Sequence, residues 1–145
     1  MTDPAFVAWD DDFATGVKKI DDQHKLLLGM INRVHTLNMD SAGGVSNTSK
    51  IMEVLDELNR YANYHFRTEE LLMGQHLEPS DATAQHLAAH QAYWPTINAF
   101  ETKLQPGDAG TVINELADYL KKWWINHILV VDRQTGKALN QAGIH

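Results

Sequence analysis

Residues 51–72 read IMEVLDELNRYANYHFRTEELL, and within them Ile51, Leu55, Leu58, Ala62, His65, Glu69 and Leu72 recur at intervals of three and four. That interval is the period of one helix face, sustained for about six turns without a glycine or proline. An amphipathic helix buries such a stripe. Here the second half of the stripe carries an imidazole and a carboxylate.

Working outward, the same period recurs on both sides. Ile20, His24, Leu27, Ile31 and Val34 precede it. His86, His90, Tyr93, Ile97, Phe100 and Leu104 follow, then Val112, Leu116, Tyr119, Trp123 and His127, with Val130 and Val131 beyond. No stretch alternates with the period of two that a strand requires, so the fold class is all-α. Breakers fall at Asn38 to Asn47 (Gly43-Gly44), His76 to Ser80 (Pro79) and Gln105 to Gly110 (Pro106-Gly107). Capping side chains are available at Asp21 or Asp22, Ser49, Ser80 or Asp81, and Asp108. A short connection can only return the chain alongside the helix it left, so an antiparallel up-down-up-down four-helix bundle is expected. The segment Met1 to Ile20 carries Phe6, Trp9, Phe13 and Val17 without a sustained helical period, and reads as an extended N-terminal arm across the bundle. Beyond Asp132 the pattern weakens at Thr135-Gly136, and Lys137 to His145 is expected to form a short extra turn or fray.

The 145 residues suit one domain, and 43% hydrophobic with 21% charged residues is enough to bury a core. A formal net charge of -7 removes the phosphate attraction on which nucleic-acid and anionic-membrane binding depends. No apolar stretch approaches a membrane span, and Met1 to Trp9 has neither the basic start nor the apolar run of an export signal, which points to the cytoplasm. With no cysteine, disulfides, thiolate nucleophiles and iron–sulfur clusters are excluded, while eight histidines are many for this length.

Each of the four stripes places at least one histidine inward. Left unpaired, that many buried polar groups would cost several kcal/mol in total. Five imidazoles with Glu69 and Asp132 lack the donors to satisfy one another, but neutral imidazole and carboxylate are metal ligands. His65 and Glu69 are four residues apart, as are His86 and His90, so each pair lies on one helix face within reach of a common ion. His127 and Asp132 are five apart, about 140° off on an ideal α-helix, and periodicity alone does not join them. A common site needs a flanking approach by the aspartate or a local distortion of the helix. His35, His76 and His145 stand singly and are left out of the set as ordinary core or surface histidines.

A lone His, then H-x-x-x-E, H-x-x-x-H and H-x-x-x-x-D, here His24, His65 to Glu69, His86 to His90 and His127 to Asp132, resembles the hemerythrins, and more closely the bacterial single-domain members. Trp9, Gly16, the run Ile20-Asp21-Asp22-Gln23-His24-Lys25, Trp123 and His127-Ile128 also look like that family. The resemblance implies one hemerythrin-like domain over 1–145, with the arm at about 1–20, the bundle at about 21–134 and a short tail at about 135–145. It implies two iron ions in a non-haem di-iron centre bridged by an oxo or hydroxo group, binding O2 reversibly for carriage, storage or delivery. His86, His90 and His127 would hold one iron, His24 and His65 the other, with Glu69 and Asp132 bridging. With the bridging oxygen these ligands fill about 11 of the roughly 12 positions of two octahedral irons, leaving one on the two-histidine iron for O2 or a small anion such as azide. Leu27, Phe66, Trp123 and Ile128 match the apolar lining of that position, and Trp124 stands near it, three residues before His127.

Two residues depart from the family pattern: Trp124 replaces an aliphatic residue, and Pro95 interrupts the third helix. Competing readings are a di-iron sensor, an iron-handling protein, structural zinc on the same ligands, or a di-iron oxidase or peroxidase. Ferritin-like oxidases use Glu-x-x-His pairs, and no glutamate here has a histidine three residues later, so a binding protein is expected and not an enzyme.

Overall fold

A computed structural model describes residues 6–40, 48–104 and 109–145. A 3-10 turn, Asp11–Phe13, is followed by α1 (Lys18–Asp40), α2 (Thr48–His76), α3 (Asp81–Lys103) and α4 (Ala109–Asn126). A π-helical segment, His127–Asp132, leads from α4 into α5 (Arg133–Gln141). α1 packs on α2 and α4, and α3 packs on the same two helices, so the four long helices close into the expected bundle. Its axis is filled by Ile31, Ile51, Leu58, Ile97, Leu116 and Leu120, all fully buried. No helix among the described residues is long and apolar enough to cross a membrane.

Helix starts follow capping chemistry only in part. Ser80 begins α3 as expected: its hydroxyl accepts from the Thr83 amide at 3.2 Å, and the Thr83 hydroxyl accepts from the Ser80 amide at 2.9 Å. α1, however, starts at Lys18 and not after Asp21 or Asp22. Asp21 is already in the first turn, where its carboxylate accepts from the Thr15 amide and hydroxyl, each at 2.8 Å, and so ties the arm to the helix. α2 starts at Thr48, which places Ser49 inside it. Asp108, Gly43-Gly44 and Pro106-Gly107 lie outside the described residues.

The arm is stitched down by polar and aromatic contacts. The Val7 amide donates to Asn32 Oδ1 at 2.8 Å while Asn32 Nδ2 donates back to the Val7 carbonyl at 2.6 Å. Phe6 stacks on His35 at 4.0 Å, and Lys25 lies over Trp9 at 4.8 Å.

Two further expectations are corrected. The tail does not weaken at Thr135-Gly136: α5 runs through both, and Leu139 is fully buried against Val17 and Ile20. Gly136 is there for contact, since a Cβ on it would lie 2.2 Å from the Thr15 carbonyl oxygen. Asn140 completes the join, donating to the carbonyls of Gly16 at 3.0 Å and Ile144 at 2.7 Å. The buried face of α4 is also turned by one residue: Ile113, Leu116, Ala117, Leu120 and Trp124 are buried, while Val112, Tyr119 and Trp123 are only partly so. Trp124 has taken the centre, stacked on Phe66 at 5.5 Å with its indole N–H donating to the Tyr93 hydroxyl at 3.4 Å. Pro95 lies inside α3, which continues through it to Lys103. Pro95 and Gln91, whose carbonyl it leaves without its usual donor, are both exposed, so the missing bond falls on the solvent side of the helix.

Candidate metal centre

Three of the long helices, α1, α2 and α3, and the π segment that continues α4 bring seven polar side chains to one place on the bundle axis. His24 comes from α1, His65 and Glu69 from α2, His86 and His90 from α3, and His127 and Asp132 from the ends of the π segment. All seven are at most 2% exposed. The five-residue spacing that defeats an α-helix is met by the π turn, whose bonds run from i to i+5, as from the Arg133 amide to the Ile128 carbonyl. The looser winding brings residues five apart closer to one face than an α-helix does, and His127 Nε2 lies 3.0 Å from Asp132 Oδ1.

The side chains form two overlapping groups. One holds Glu69, His86, His90, His127 and Asp132, the other His24, His65, Glu69 and Asp132, with the facing atoms of each group within 4.8 Å of one another. Both carboxylates belong to both groups. Asp132 divides cleanly: Oδ2 is 2.6 Å from His24 Nε2 and 3.4 Å from His65 Nε2, while Oδ1 is 3.0 Å from both His86 and His127 Nε2. Glu69 Oε1 lies 2.8 Å from His65 and 3.4 Å from His90 Nε2, and Oε2 lies 3.4 Å from His86 Nε2.

The donor set suits metal ions. Both Glu69 oxygens, Asp132 Oδ1 and the Nε2 atoms of His86, His90 and His127 are buried without hydrogen-bond partners, an arrangement that is costly unless a cation satisfies it. Three rings are oriented from behind through Nδ1, which donates to Gln23 Oε1 from His65 at 2.7 Å, to Thr135 Oγ1 from His86 at 2.6 Å and to Glu70 Oε2 from His90 at 2.9 Å. A proton on Nδ1 leaves the Nε2 lone pair facing the cluster. Gln23 is itself held, its Nε2 donating to Thr68 Oγ1 at 3.2 Å. With no cation, the rings and carboxylates act on one another through charge. Burial opposes charge on these rings, but Glu69 and Asp132 outweigh it and raise His65 and His86 to about 9 and His127 to about 10. Burial opposes charge on the carboxylates as well, yet His65 and His127 hold Glu69 and Asp132 well below the usual range.

Apolar side chains wall the cluster. Phe66 stacks on His90 at 4.1 Å, Trp123 stacks on His127 at 4.6 Å, and Trp124 lies 5.9 Å from the His65 ring. Leu27, Phe66, Trp124 and Ile128 are buried, and Trp123 stands at the margin. His76 and His145 are exposed and His35 packs on the arm, all outside both groups. Sequence reasoning passed over Gln23, Glu70, Thr68 and Thr135. Gln23 and Glu70 adjoin His24 and Glu69 in sequence but serve His65 and His90 on other helices, a pairing no spacing within one helix reveals. Thr135 carried a signal, being three residues past Asp132 on the same face.

Residues 15–139 match the model of the hemerythrin HHE cation-binding domain. The chain is similar to the bacteriohemerythrin of Pseudomonas aeruginosa, 34% identical over 128 residues covering 86% of this chain and 75% of that one. The Methylococcus capsulatus bacteriohemerythrin is 33% identical over 129 residues, covering 89% and 92%. Among solved structures, a wild-type hemerythrin crystal structure superposes with a TM-score of 0.75 at 30% identity, covering 93% of this chain and 98% of that one. A helical bundle with a shared-carboxylate histidine cluster on its axis and a domain match over most of its length place this chain in the hemerythrin family, whose members bind oxygen at a non-haem di-iron centre.

Proposed function

We propose that the chain binds O2 reversibly, as a carrier or store, at two irons held by His24, His65, Glu69, His86, His90, His127 and Asp132. The observation that carries this reading is the inequality of the two groups: three histidines face one metal position and two the other, while Glu69 and Asp132 serve both. The two-histidine position therefore keeps room for a ligand from outside the protein. Bound iron would supply the electrons for reversible O2 binding, one from each metal.

The protein's own part is to hold and to exclude. Glu69 and Asp132 would each serve both metals, and their negative charges would offset the metals' positive charge in a dry interior. Gln23, Thr135 and Glu70 fix the rings so that Nε2 faces inward. Leu27, Phe66, Trp123, Trp124 and Ile128 would keep water and anions away from that position, which would slow loss of electrons to solvent once iron is bound. The titratable side chains of the cluster are all assigned as ligands, so none is left to act as a general acid or base, which favours binding over catalysis.

The test is elemental analysis of protein grown with iron, followed by anaerobic reduction and exposure to air. Two irons per chain and a visible band that forms in air, fades under vacuum and is blocked by azide are expected. One metal, or mostly zinc, sinks the reading.

A further inference from the structure

Among the described ring partners at the centre, the hydroxyl of Thr135 and the amide of Gln23 are neutral, whereas the third partner is a carboxylate. Glu70 Oε2 lies 2.9 Å from His90 Nδ1; the ring is 2% exposed and the carboxylate 40%. Glu70 follows Glu69 directly in α2, so one turn of one helix presents a carboxylate to the cluster and a second to the far side of a ring from α3. Phe66, one turn earlier on α2, stacks on that same ring at 4.1 Å with planes 17° apart. Stacking limits tilt but is nearly indifferent to which ring nitrogen points inward. The bond to Nδ1 makes that choice, because a carboxylate only accepts, which keeps the proton on Nδ1 and the lone pair on Nε2.

We infer that Glu70 is a positioning residue that fixes the tautomer of His90 and makes it a stronger nitrogen donor than His86 in the three-histidine group. A charge-assisted bond from Nδ1–H to a carboxylate moves electron density onto Nε2, whereas a hydroxyl at His86 does so far less. Electron density on that side favours the higher oxidation state, so Glu70 lowers the reduction potential of one metal position relative to the other. The inference rests on the di-iron reading above.

The experiment uses the full iron-loaded chain with Glu70→Gln, Glu70→Ala and, as a control, Glu53→Gln, an exposed acid about 25 Å away along α2. Iron retention is followed against a chelator, and the midpoint potential by spectroelectrochemical titration. Glu70→Ala is expected to release iron on the order of ten-fold faster. Glu70→Gln, which keeps an acceptor but loses the charge, should retain iron nearly as the parent does while its potential rises, and Glu53→Gln should move neither. Parent-like iron release from the alanine variant, or a parent-like potential in the glutamine variant, overturns the inference. A readout independent of iron comes from NMR of the zinc-loaded chain. The His90 Hδ1 proton should appear as a slowly exchanging downfield signal, lost in Glu70→Ala and kept in Glu70→Gln. Its absence from the parent overturns the positioning role, whereas its presence in a chain that takes up fewer than two irons removes the di-iron reading alone.

Discussion

At the scale of single residues, two positions show how contact and not composition sets tolerance to change. Gly136 sits mid-helix, where alanine would ordinarily be favoured, but the Thr15 backbone occupies the space of its Cβ. Gly136→Ala should therefore destabilise the protein by roughly 1–3 kcal/mol, as overpacking does, read as a lower urea midpoint. Gly29 and Gly74, with nothing within 4 Å of a Cβ, should instead gain slightly from the same change. Trp124 is the second position. Its indole is fully buried, stacked on Phe66 and bonded to Tyr93 beside the His65 ring. Trp124→Leu should cost about 1–3 kcal/mol through lost contacts, and the space it opens beside polar groups should admit water. The variant is expected to keep its irons and its O2 spectrum but to autoxidise and take up azide faster. Rates of both processes equal to those of the parent would show Trp124 to be ordinary packing. His35→Ala, His76→Ala and His145→Ala should leave iron content unchanged, whereas Glu69→Ala and Asp132→Ala should abolish the paired site.

At the scale of elements, the π segment and α5 act together. The π turn aligns His127 with Asp132, and α5 continues directly from it, so the strand of bonds that holds α5 also holds the end of the centre. Thr135, on α5, reaches the His86 ring, and Leu139 is buried against Val17 and Ile20 at the start of α1. Leu139→Ala is expected to cost about 2–5 kcal/mol by cavity formation, and hydrogen exchange should quicken in α5 and the π segment together. Faster exchange confined to residues beyond 136 would show that the two are independent. The arm follows the same logic, since Thr15 and Gly16 meet Gly136 and Asn140 and close the chain's beginning over its end.

For the whole molecule, the centre is a core polar cluster whose cost depends on what fills it. Iron-free protein should melt well below the iron-loaded form, because metal bound only by the folded state adds its binding free energy to stability. The pH dependence of the iron-free form has a definite sign. His65, His86 and His127 have folded values of about 9 to 10, above the ordinary 6.5, so their stabilising contribution is fully present below about pH 6.5. It is lost as pH rises through 9 to 10. Glu69 and Asp132 are depressed, so theirs is present above the ordinary carboxylate range and lost in acid. Iron-free protein should thus be most stable near pH 5 to 6.5 and weaken steadily towards pH 10, which thermal melts across that range check. The iron-loaded form, in which metal replaces the protons, should not show the alkaline loss.

What the order of residues determined by itself is the local periodicity and everything built on it. The recurrence of apolar residues at three and four made the chain helical, and the breaks made four long helices. The i,i+4 pairs His65 with Glu69 and His86 with His90 were legible because one helix face is a property of one segment. His24 and His127 were legible as polar intrusions into apolar stripes, and Asp132 through the resemblance to a family. Tertiary structure decided what depends on neighbours. Which side of α4 turns inward was set by Trp124 meeting Phe66 and Tyr93 from two other helices. The helicity of residues 133–141 was set by a groove for Leu139 and a place for Gly136 against Thr15, outweighing a glycine that weakens an isolated helix. The alignment of His127 with Asp132 needed a π turn, whose looser winding is stable here because its ends are packed into the bundle. The partners of the histidine rings, Gln23, Thr135 and Glu70, came from across helix boundaries, where hydrogen-bond geometry and not sequence spacing selects the pair.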